Sequence, residues 1–260
     1  MFYLSSLTKE LRMTAKSTIE VCFSPAMYHE YRKDDAIVVI VDILRATSAI
    51  ITAFMNGVNH IIPVATLEEA KDYKQKGYFV AAERDGVKPA FADYSNSAFD
   101  FMNNAIVGKS IYYTTTNGTR ANELATVAGK VAIASFLNIP AITRWLIAQN
   151  SNVILLCAGW KNNFCIEDTL CAGAIAKSLI QDNRFELADD SALTSVTLWN
   201  TCNEHLETMI RRSSHFNRLK KLGYDDVLSY SLQIGKSNAV PVMQGNSIVN
   251  LSNAKNNKTV

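Results

Sequence analysis

The sequence has few of the features that mark fibrous, disordered or membrane proteins. Its 260 residues include only 11 Gly and 5 Pro, while 48% are hydrophobic and 19% are charged, which excludes collagen-like and low-complexity chains. The longest apolar runs, such as residues 36–41 and 153–158, are far shorter than the ~20 residues that cross a bilayer. We therefore expect a folded globular protein without a membrane partner.

An excess of charge of one sign is also absent. The 26 Lys and Arg residues nearly balance the 24 Asp and Glu residues, for a formal net charge of +2, and the basic residues are scattered. Nucleic acids are held by clustered basic residues, so no nucleic-acid partner is expected. The five cysteines form no C-x-x-C pair, which favours reduced thiols and a cytoplasmic location and indicates no zinc site.

Short β-branched segments alternate with amphipathic stretches along most of the chain. The segments are residues 19–23, 36–41, 60–65, 78–82, 110–114, 131–135 and 153–157. Several are apolar at nearly every position, as in parallel strands that helices cover on both faces. We predict an α/β fold, layered α/β/α around a mostly parallel sheet, with a mostly helical segment over 167–213 and a hairpin over 240–249 near the C-terminus.

Helix-capping and helix-breaking residues predict where several helices begin and end. Thr66 and Glu69 form a capping-box pattern that opens a helix ending at Gly77, and Pro140 suits the first turn of another helix. We predict a disordered N-terminal extension over 1–17, with Met13 as an alternative start and no signal peptide, one domain over 18–250 and a frayed tail over 251–260. Two α/β halves that meet near residue 105 are an alternative within that domain.

Polar residues at predicted strand ends give candidate site residues, because ligands of open α/β sheets bind beyond the carboxyl ends of the strands. Asp42 and Arg45 follow the strand over 36–41, and Glu83 and Arg84 follow the strand over 78–82. Carboxylates can hold a hard cation, and guanidinium groups can bind phosphate oxygens. The alternatives are a local cap in which Asp42 pairs with Arg45, and a charged surface turn at Glu83.

Two further strand ends carry polar motifs. The segment 114–120 combines Thr residues with Asn117, Gly118 and Arg120, which favours a phosphate cradle at a helix N-terminus, although Asn-Gly also suits a hairpin. The segment 157–159 ends a strand in small residues, and a loop leads from it to Glu167 and Asp168. These two acids could ligate Mg²⁺ or act as a base, or they could simply cap a helix.

Four acids and three guanidinium groups at strand ends favour oxygen-ligated Mg²⁺ and phosphoryl chemistry. No G-x-x-x-x-G-K-[ST] pattern is present, and neither the aspartate-nucleophile nor the cysteine-nucleophile phosphatase spacing is met at Asp42, Cys157 or Cys165. The four His residues, at positions 29, 60, 205 and 215, show no metal-ligand spacing and are expected on the surface or in the core.

As an ordered set, these motifs resemble the 2-phosphosulfolactate phosphatase family over residues 18–250. The resemblance rests on Val-Asp-Ile-Leu-Arg-Ala-Thr-Ser (41–48), Thr-Thr-Thr-Asn-Gly-Thr-Arg (114–120), Cys-Ala-Gly (157–159) and Glu-Asp (167–168). It implies a layered α/β fold and Mg²⁺-dependent removal of phosphate from 2-phospho-3-sulfolactate. Ser95, Ala98 and Cys165 depart from the residues we expect in the family, Gly, Pro and Ser.

With that resemblance, we expect Asp42, Glu83 and Asp168 to hold Mg²⁺ or orient the attacking water, Glu167 to be a further metal ligand, and Arg45 to act with them. The expected substrate-binding residues are Arg84, Asn96, Thr115, Thr116, Asn117, Gly118, Thr119, Arg120, Cys157 and Gly159. Direct attack by a metal-activated water is the expected mechanism. The alternatives are a phosphatase of another small phospho-acid and a non-catalytic sensor of an anionic metabolite, and a homodimer is expected.

Overall fold

The computed structural model describes residues 15–115 and 129–252, in which ten strands join in one sheet. The strands are β1 (Ser17–Cys22), β2 (Ile37–Val41), β3 (His60–Pro63), β4 (Phe79–Ala82), β5 (Ser110–Thr114), β6 (Lys130–Ala134), β7 (Val153–Cys157), β8 (Phe185–Leu187), β9 (Pro241–Gln244) and β10 (Ser247–Asn250). The α-helices of these ranges are α1 (Tyr28–Tyr31), α2 (Ala46–Met55), α3 (Leu67–Gln75), α4 (Ile139–Gln149), α5 (Ile166–Leu179), α6 (Asp190–Cys202), α7 (Leu206–Arg211), α8 (Ser214–Lys221) and α9 (Val227–Ser231).

The predicted α/β class and all seven predicted strands are confirmed. In β2 the side chains of Ile37, Val39 and Val41 enter one buried cluster, whereas Val38 and Ile40 enter another. Successive side chains of a strand point to opposite faces, so both faces of this strand are covered. The continuous apolar pattern of β2 is therefore the pattern of a strand buried between two layers.

The sheet has the order β4-β5-β3-β10-β9-β6-β2-β7-β1-β8. The predicted hairpin β9–β10 is confirmed, with Gly245 at φ +58 in its tight turn, but it lies in the middle of the sheet and not at an edge. It joins a parallel block β4-β5-β3 to a second parallel block β6-β2-β7-β1-β8 through antiparallel pairings on each side. Three antiparallel steps separate the two blocks, so they run in opposite directions.

The sheet also curls. β2 and β4 stand six places apart in the strand order, which would put them about 29 Å apart in a flat sheet. Nevertheless Ile40 of β2 and Ala81 of β4 belong to one buried cluster, together with Ile61 of β3 and Ile111 of β5. Twisted sheets of this size fold over a shared core. The curl brings the loops that follow β2 and β4 within reach of each other.

The helices follow the predicted boundary residues. Thr66 Oγ1 accepts from Glu69 N at 3.1 Å and caps α3, and Gly77 follows this helix at φ +85. Pro140 lies in the first turn of α4. The segment 167–213 is mostly helical as predicted, but it also contains β8, a three-residue strand too short to show a period. No helix within residues 15–115 and 129–252 is long and apolar enough to cross a membrane.

The predicted boundaries of the domain stay predictions. β1 begins at Ser17, one residue inside the predicted extension, and strands from both sides of residue 105 share the sheet. Residues 1–14, 116–128 and 253–260 lie outside the described residues. Most of the predicted extension and of the predicted tail falls in these ranges.

Candidate active site

The loop after β2 holds Asp42 by its backbone. The Asp42 carbonyl accepts from Thr47 N at 2.9 Å and from Thr47 Oγ1 at 2.8 Å, and one carboxylate oxygen accepts from Ala46 N at 3.4 Å. These bonds cap the first turn of α2, as the local alternative predicted. The capping fixes the buried carboxylate at the end of the strand.

Arg45 does not complete that local alternative. Its Nη2 donates to the carbonyl of Gly86, in the loop after β4, at 2.9 Å, and its guanidinium carbon lies 3.8 Å from the centre of the Tyr224 ring. The side chain is buried, with 2% of its surface exposed. Arg45 therefore spans from the β2 loop to the β4 loop instead of pairing with Asp42.

The loop after β4 turns Glu83 inward. One carboxylate oxygen of Glu83 accepts from Gly86 N, and the other accepts from Asn96 Nδ2 at 3.4 Å. Gly86 adopts φ +90, and a Cβ there would lie 2.6 Å from Leu222 Cδ1, so this turn requires glycine. Only 4% of Glu83 is exposed, which rules out the exposed charged turn at this residue.

Asp42, Arg45 and Glu83 line one cavity, although β2 and β4 belong to blocks of opposite direction. The other described residues of its lining are Leu44, Gly86, Asn96, Thr115, Trp160, His215, Arg218 and Leu219. The space inside it, including its open mouth, is about 260 Å³, of which about 10 Å³ admits the centre of a water molecule. The cavity is therefore a narrow and largely polar cleft.

The carboxylates of the cavity are electrostatically strained. The pKa of Asp42 is raised from 3.8 to about 6, chiefly by burial and also by the nearby carboxylates of Glu83 and Glu167, against the opposing effects of His215 and of the bond from Ala46 N. Like charges gathered in a buried site favour either a proton or a cation between them. Asp42 and Glu83 are thus acids that a divalent cation would stabilise.

Asp168 ties two loops together. One of its carboxylate oxygens accepts from Ile43 N at 2.9 Å, and the other accepts from Gly159 N at 3.0 Å. Burial and the neighbouring carboxylates of Glu167 and Asp42 raise the pKa of Asp168 well above its ordinary value, while the two backbone bonds oppose this rise. Because both oxygens already bind backbone, this geometry favours a positioning role for Asp168.

Glu167 orients a histidine. One carboxylate oxygen of Glu167 contacts His215 Nδ1 at 2.5 Å, while His215 Nε2 lies 3.3 Å from Arg218 Nη2. A guanidinium can only donate, so the contact with Arg218 is a hydrogen bond when Nε2 is the acceptor and Nδ1 donates to Glu167. His215 also stacks on Trp160, with ring centres 5.6 Å apart. His215 is thus a buried histidine with hydrogen-bond partners, as the core alternative predicted, and it also lines the cavity, which the sequence did not indicate.

Two sets of side chains have the chemistry of metal ligands. Ligand atoms of Cys165, Glu167 and His215 lie within 4.8 Å of one another, but both ring nitrogens of His215 are already hydrogen-bonded. The second set is all oxygen: the carboxylates of Asp42 and Glu83, and Asn96 Oδ1, which is buried and has no hydrogen-bond partner among the described residues. Hard oxygen donors fit Mg²⁺, so this second set suits the expected ion.

Several predicted substrate-binding residues lie elsewhere. Arg84 donates to the carbonyls of Glu83 and Ala65 and to Thr114 Oγ1, and within the described ranges it is not part of the cavity lining. Cys157 and Gly159 are likewise outside the described lining, whereas Asn96 and Thr115 belong to it. The remaining candidates, Thr116, Asn117, Gly118, Thr119 and Arg120, lie outside the described residues.

Comparison with known proteins agrees with the resemblance noted from the motifs. The family model for 2-phosphosulpholactate phosphatase matches residues 22–246. The chain belongs to this family. A relative from Caldanaerobacter subterraneus is 36% identical over 219 residues, which cover 83% of this chain and 90% of the relative. Relatives from Symbiobacterium thermophilum and Thermotoga maritima are 34% and 35% identical and cover 82% and 79% of this chain, and 93% and 88% of their own lengths. All three carry the name "Probable 2-phosphosulfolactate phosphatase".

Membership of the 2-phosphosulfolactate phosphatase family confirms the enzyme class, a phosphoric monoester hydrolase. The motif-based prediction nevertheless missed the two titratable cavity residues His215 and Arg218, both on α8. They stand three positions apart beside the buried Phe216 and Leu219, so a His and an Arg share the apolar side of this helix. Polar residues at such positions are the pattern that could have revealed them.

Proposed function

We propose that this protein hydrolyses the phosphate ester of 2-phospho-3-sulfolactate with the help of Mg²⁺. The observation that carries the proposal is the shared cavity, which combines the oxygen donors of Asp42 and Glu83 with the guanidinium of Arg45. The names of the relatives supply the substrate. A small phosphoester with further acidic groups matches a cleft that mixes cation-binding oxygens with N–H donors.

Mg²⁺ would be held by Asp42, Glu83 and the amide oxygen of Asn96. When bound, the ion would neutralise charge on the phosphoryl oxygens and lower the pKa of water. Asp42 must be ionised for this role, and it lines the cavity. Asp168 and Glu167, which we also expected as ligands, support the site by holding Ile43, Gly159 and His215.

Arg45 is the described residue best placed to bind the phosphoryl group. Its Nη1 is buried and has no hydrogen-bond partner in the described part of the chain, so an acceptor that enters the cavity would satisfy it. Stacking on Tyr224 and the bond to Gly86 fix the guanidinium plane in advance. Preorganised donors of this kind stabilise charge that builds up during reaction.

A cytoplasmic location and a homodimer remain part of the proposal. The five cysteines, all within the described ranges, are unpaired and buried, which supports a reducing compartment. Light scattering of the purified protein would test the dimer.

The decisive experiment measures phosphate release by wild type and Asp42→Asn over small phosphoesters that include 2-phosphosulfolactate, with Mg²⁺ and with a chelator. Asp72→Asn on α3, an exposed acid, is the matched control. Mg²⁺-dependent release that is strongest on 2-phosphosulfolactate and lost only in Asp42→Asn supports the proposal. Preferred release from another phospho-acid would replace the substrate, and binding of sulfolactate without release from any ester would indicate a sensor.

A further inference from the structure

Two arginines in the cavity are held in the same way. The guanidinium carbon of Arg218 lies 3.6 Å from the centre of the Trp160 ring, and that of Arg45 lies 3.8 Å from the centre of the Tyr224 ring. Stacking on an aromatic face fixes the plane of a guanidinium and stabilises its charge. Both groups are thus preorganised before any ligand arrives.

Both arginines also bind the same turn. Arg45 Nη2 donates to the carbonyl of Gly86 at 2.9 Å, and Arg218 Nη1 donates to the carbonyl of Asp85 at 3.3 Å. These carbonyls belong to consecutive residues of the loop after β4, so both guanidinium groups contact one turn at the lining of the same cavity. A Cβ on Gly86 would come within 3.3 Å of Arg218 Nη1, which shows how closely the turn and Arg218 pack.

Each arginine keeps one buried N–H group unused. Among the described residues, neither Arg45 Nη1 nor Arg218 Nε has a hydrogen-bond partner. A guanidinium has only donors, and a buried donor without an acceptor is costly, so such groups normally have a reason. Burial and the positive charge of Arg45 lower the pKa of Arg218, although Glu83 opposes this change. Two guanidinium groups of one cavity with unpaired N–H donors are suited to bind anions.

We propose that Arg45 and Arg218 form a two-anion subsite, in which Arg45 binds the phosphoryl group and Arg218 binds a second acidic group of the same molecule. The inference rests on the proposed function and adds to it a separate role for each of the two arginines. Arg45 takes the phosphoryl group because it lies three residues from Asp42. Arg218 reaches from α8 on the side of Trp160 and His215.

The charges of the cavity fit this assignment. Asp42 and Glu83 balance Arg45 and Arg218, so a bound divalent cation leaves a formal charge of +2 among these groups. A phosphomonoester dianion with one more acidic group carries about three negative charges at neutral pH. A singly charged ligand would leave one of the two arginines without an acceptor. The site therefore selects for molecules with more than one acidic group.

The test separates the two arginines by calorimetric titration, which needs no turnover. The probes are inorganic phosphate, which represents the phosphoryl group alone, and sulfolactate, which has the acidic groups without phosphate. The variants are Arg45→Gln and Arg218→Gln, with Lys220→Gln, an exposed cation on the same helix α8, as the matched control. Thermal unfolding reports whether each variant is folded, and Arg218→Lys replaces Arg218→Gln if the latter unfolds.

We expect a crossed pattern. Arg218→Gln weakens sulfolactate binding by roughly 10- to 100-fold, because one charge-assisted contact is lost. It changes phosphate binding by less than about threefold, because Arg45 binds the phosphoryl group. Arg45→Gln does the reverse. If Arg218→Gln weakens phosphate as strongly as sulfolactate, both arginines hold one anion and the inference is wrong; an effect no larger than that of Lys220→Gln also overturns it. If the variants show the crossed pattern but the protein releases no phosphate, the proposed hydrolysis is wrong and the two-anion subsite still stands.

Discussion

The site contains two pairs of acids that look alike in the sequence and differ in the structure. Asp42 and Glu83 line the cavity, where burial and the neighbouring carboxylates raise the pKa of Asp42. Glu167 and Asp168 stand at the start of α5, where Asp168 binds two backbone N–H groups and Glu167 binds His215. The first pair lines the cavity, and the second pair holds the loops and side chains around it.

This difference shows that a carboxylate at a strand end can serve either chemistry or architecture. For the two aspartates, what separates these uses is the number of backbone donors that already occupy the carboxylate oxygens. Asp168 has two such donors, whereas Asp42 has one long contact of 3.4 Å, to Ala46 N. The variants below test the division between the pairs, beginning with the largest expected effect.

Asp42→Asn should abolish activity and preserve the fold. The change removes the charge that binds a cation or orients water while keeping the volume and the acceptor for Ala46 N. We expect kcat/KM to fall by about 10²- to 10⁴-fold, with an unfolding temperature no lower than that of wild type. Activity within tenfold of wild type would move the chemistry away from this pair, to Glu167 and Asp168.

Asp168→Ala should act on stability first. It leaves Ile43 N and Gly159 N buried without acceptors, at roughly 1–3 kcal/mol each, so we expect the free energy of unfolding to fall by about 2–5 kcal/mol. Asp168→Asn retains one acceptor and should recover about half of the loss. Urea unfolding of the three proteins measures this. A stable Asp168→Ala variant with no activity would return Asp168 to the catalytic pair.

The pH dependence of stability should distinguish Asp42 from its neutral variant. The folded pKa of Asp42, about 6, lies above its ordinary value of 3.8, so the fold favours the protonated form. Wild-type stability therefore falls as the pH rises from about 4 to about 6, by up to about 3 kcal/mol at roughly 1.4 kcal/mol per pH unit, and then stays level for this group.

Asp42→Asn has no carboxyl group at this position, so its stability does not fall in this way as the pH rises. With a chelator present, its stability advantage over wild type should grow between pH 4 and pH 7, as measured by urea unfolding at each pH. An advantage that stays constant over this range would show that Asp42 keeps an ordinary pKa and that the cavity does not crowd its charge.

Nine of the ten described strands could be predicted, because their own residues show an apolar or β-branched pattern, whereas the three-residue strand β8 is too short to show one. β2 and β7 are continuous apolar segments, and the caps at Thr66 and Pro140 depend only on neighbouring residues. The place of the β9–β10 hairpin at the centre of the sheet could not be predicted, because it depends on pairing with β3 and β6, which are distant in the chain. The reversal of direction between the two blocks follows from that placement.

The candidate site, like the fold, was predictable only where the signal is local in the sequence. Asp42, Arg45 and Glu83 follow strands, and the strand-end rule located them. His215 and Arg218 come from a helix, and only tertiary packing brings α8 against Trp160 and the loop after β4. The rule that finds ligands at strand ends has no means of finding a side chain that reaches the cavity from a neighbouring layer.

Glu167→Ala should have a smaller effect than Asp168→Ala. It removes the acceptor of His215 Nδ1, and we expect a loss of about 1–3 kcal/mol in the free energy of unfolding. Removing its charge should also lower the pKa of Asp42, since Glu167 contributes to raising it. Glu167→Gln keeps an acceptor and should restore most of the stability. Equal losses in both variants would mean that charge, and not the hydrogen bond, fixes His215.

Cys157→Ala should have the smallest effect, and it tests the strand-end rule itself. Cys157 ends β7 at the position where that rule predicts a substrate contact, yet its side chain is fully buried, and burial raises the pKa of its thiol well above the ordinary value. A buried neutral thiol acts as a small apolar group, so its removal should cost about 1 kcal/mol in stability and change KM by less than about twofold. A tenfold rise in KM would mean that Cys157 contributes to substrate binding although it lies outside the described cavity lining. Lining the cavity would then no longer be a sufficient criterion for separating Asp42 and Glu83 from Glu167 and Asp168.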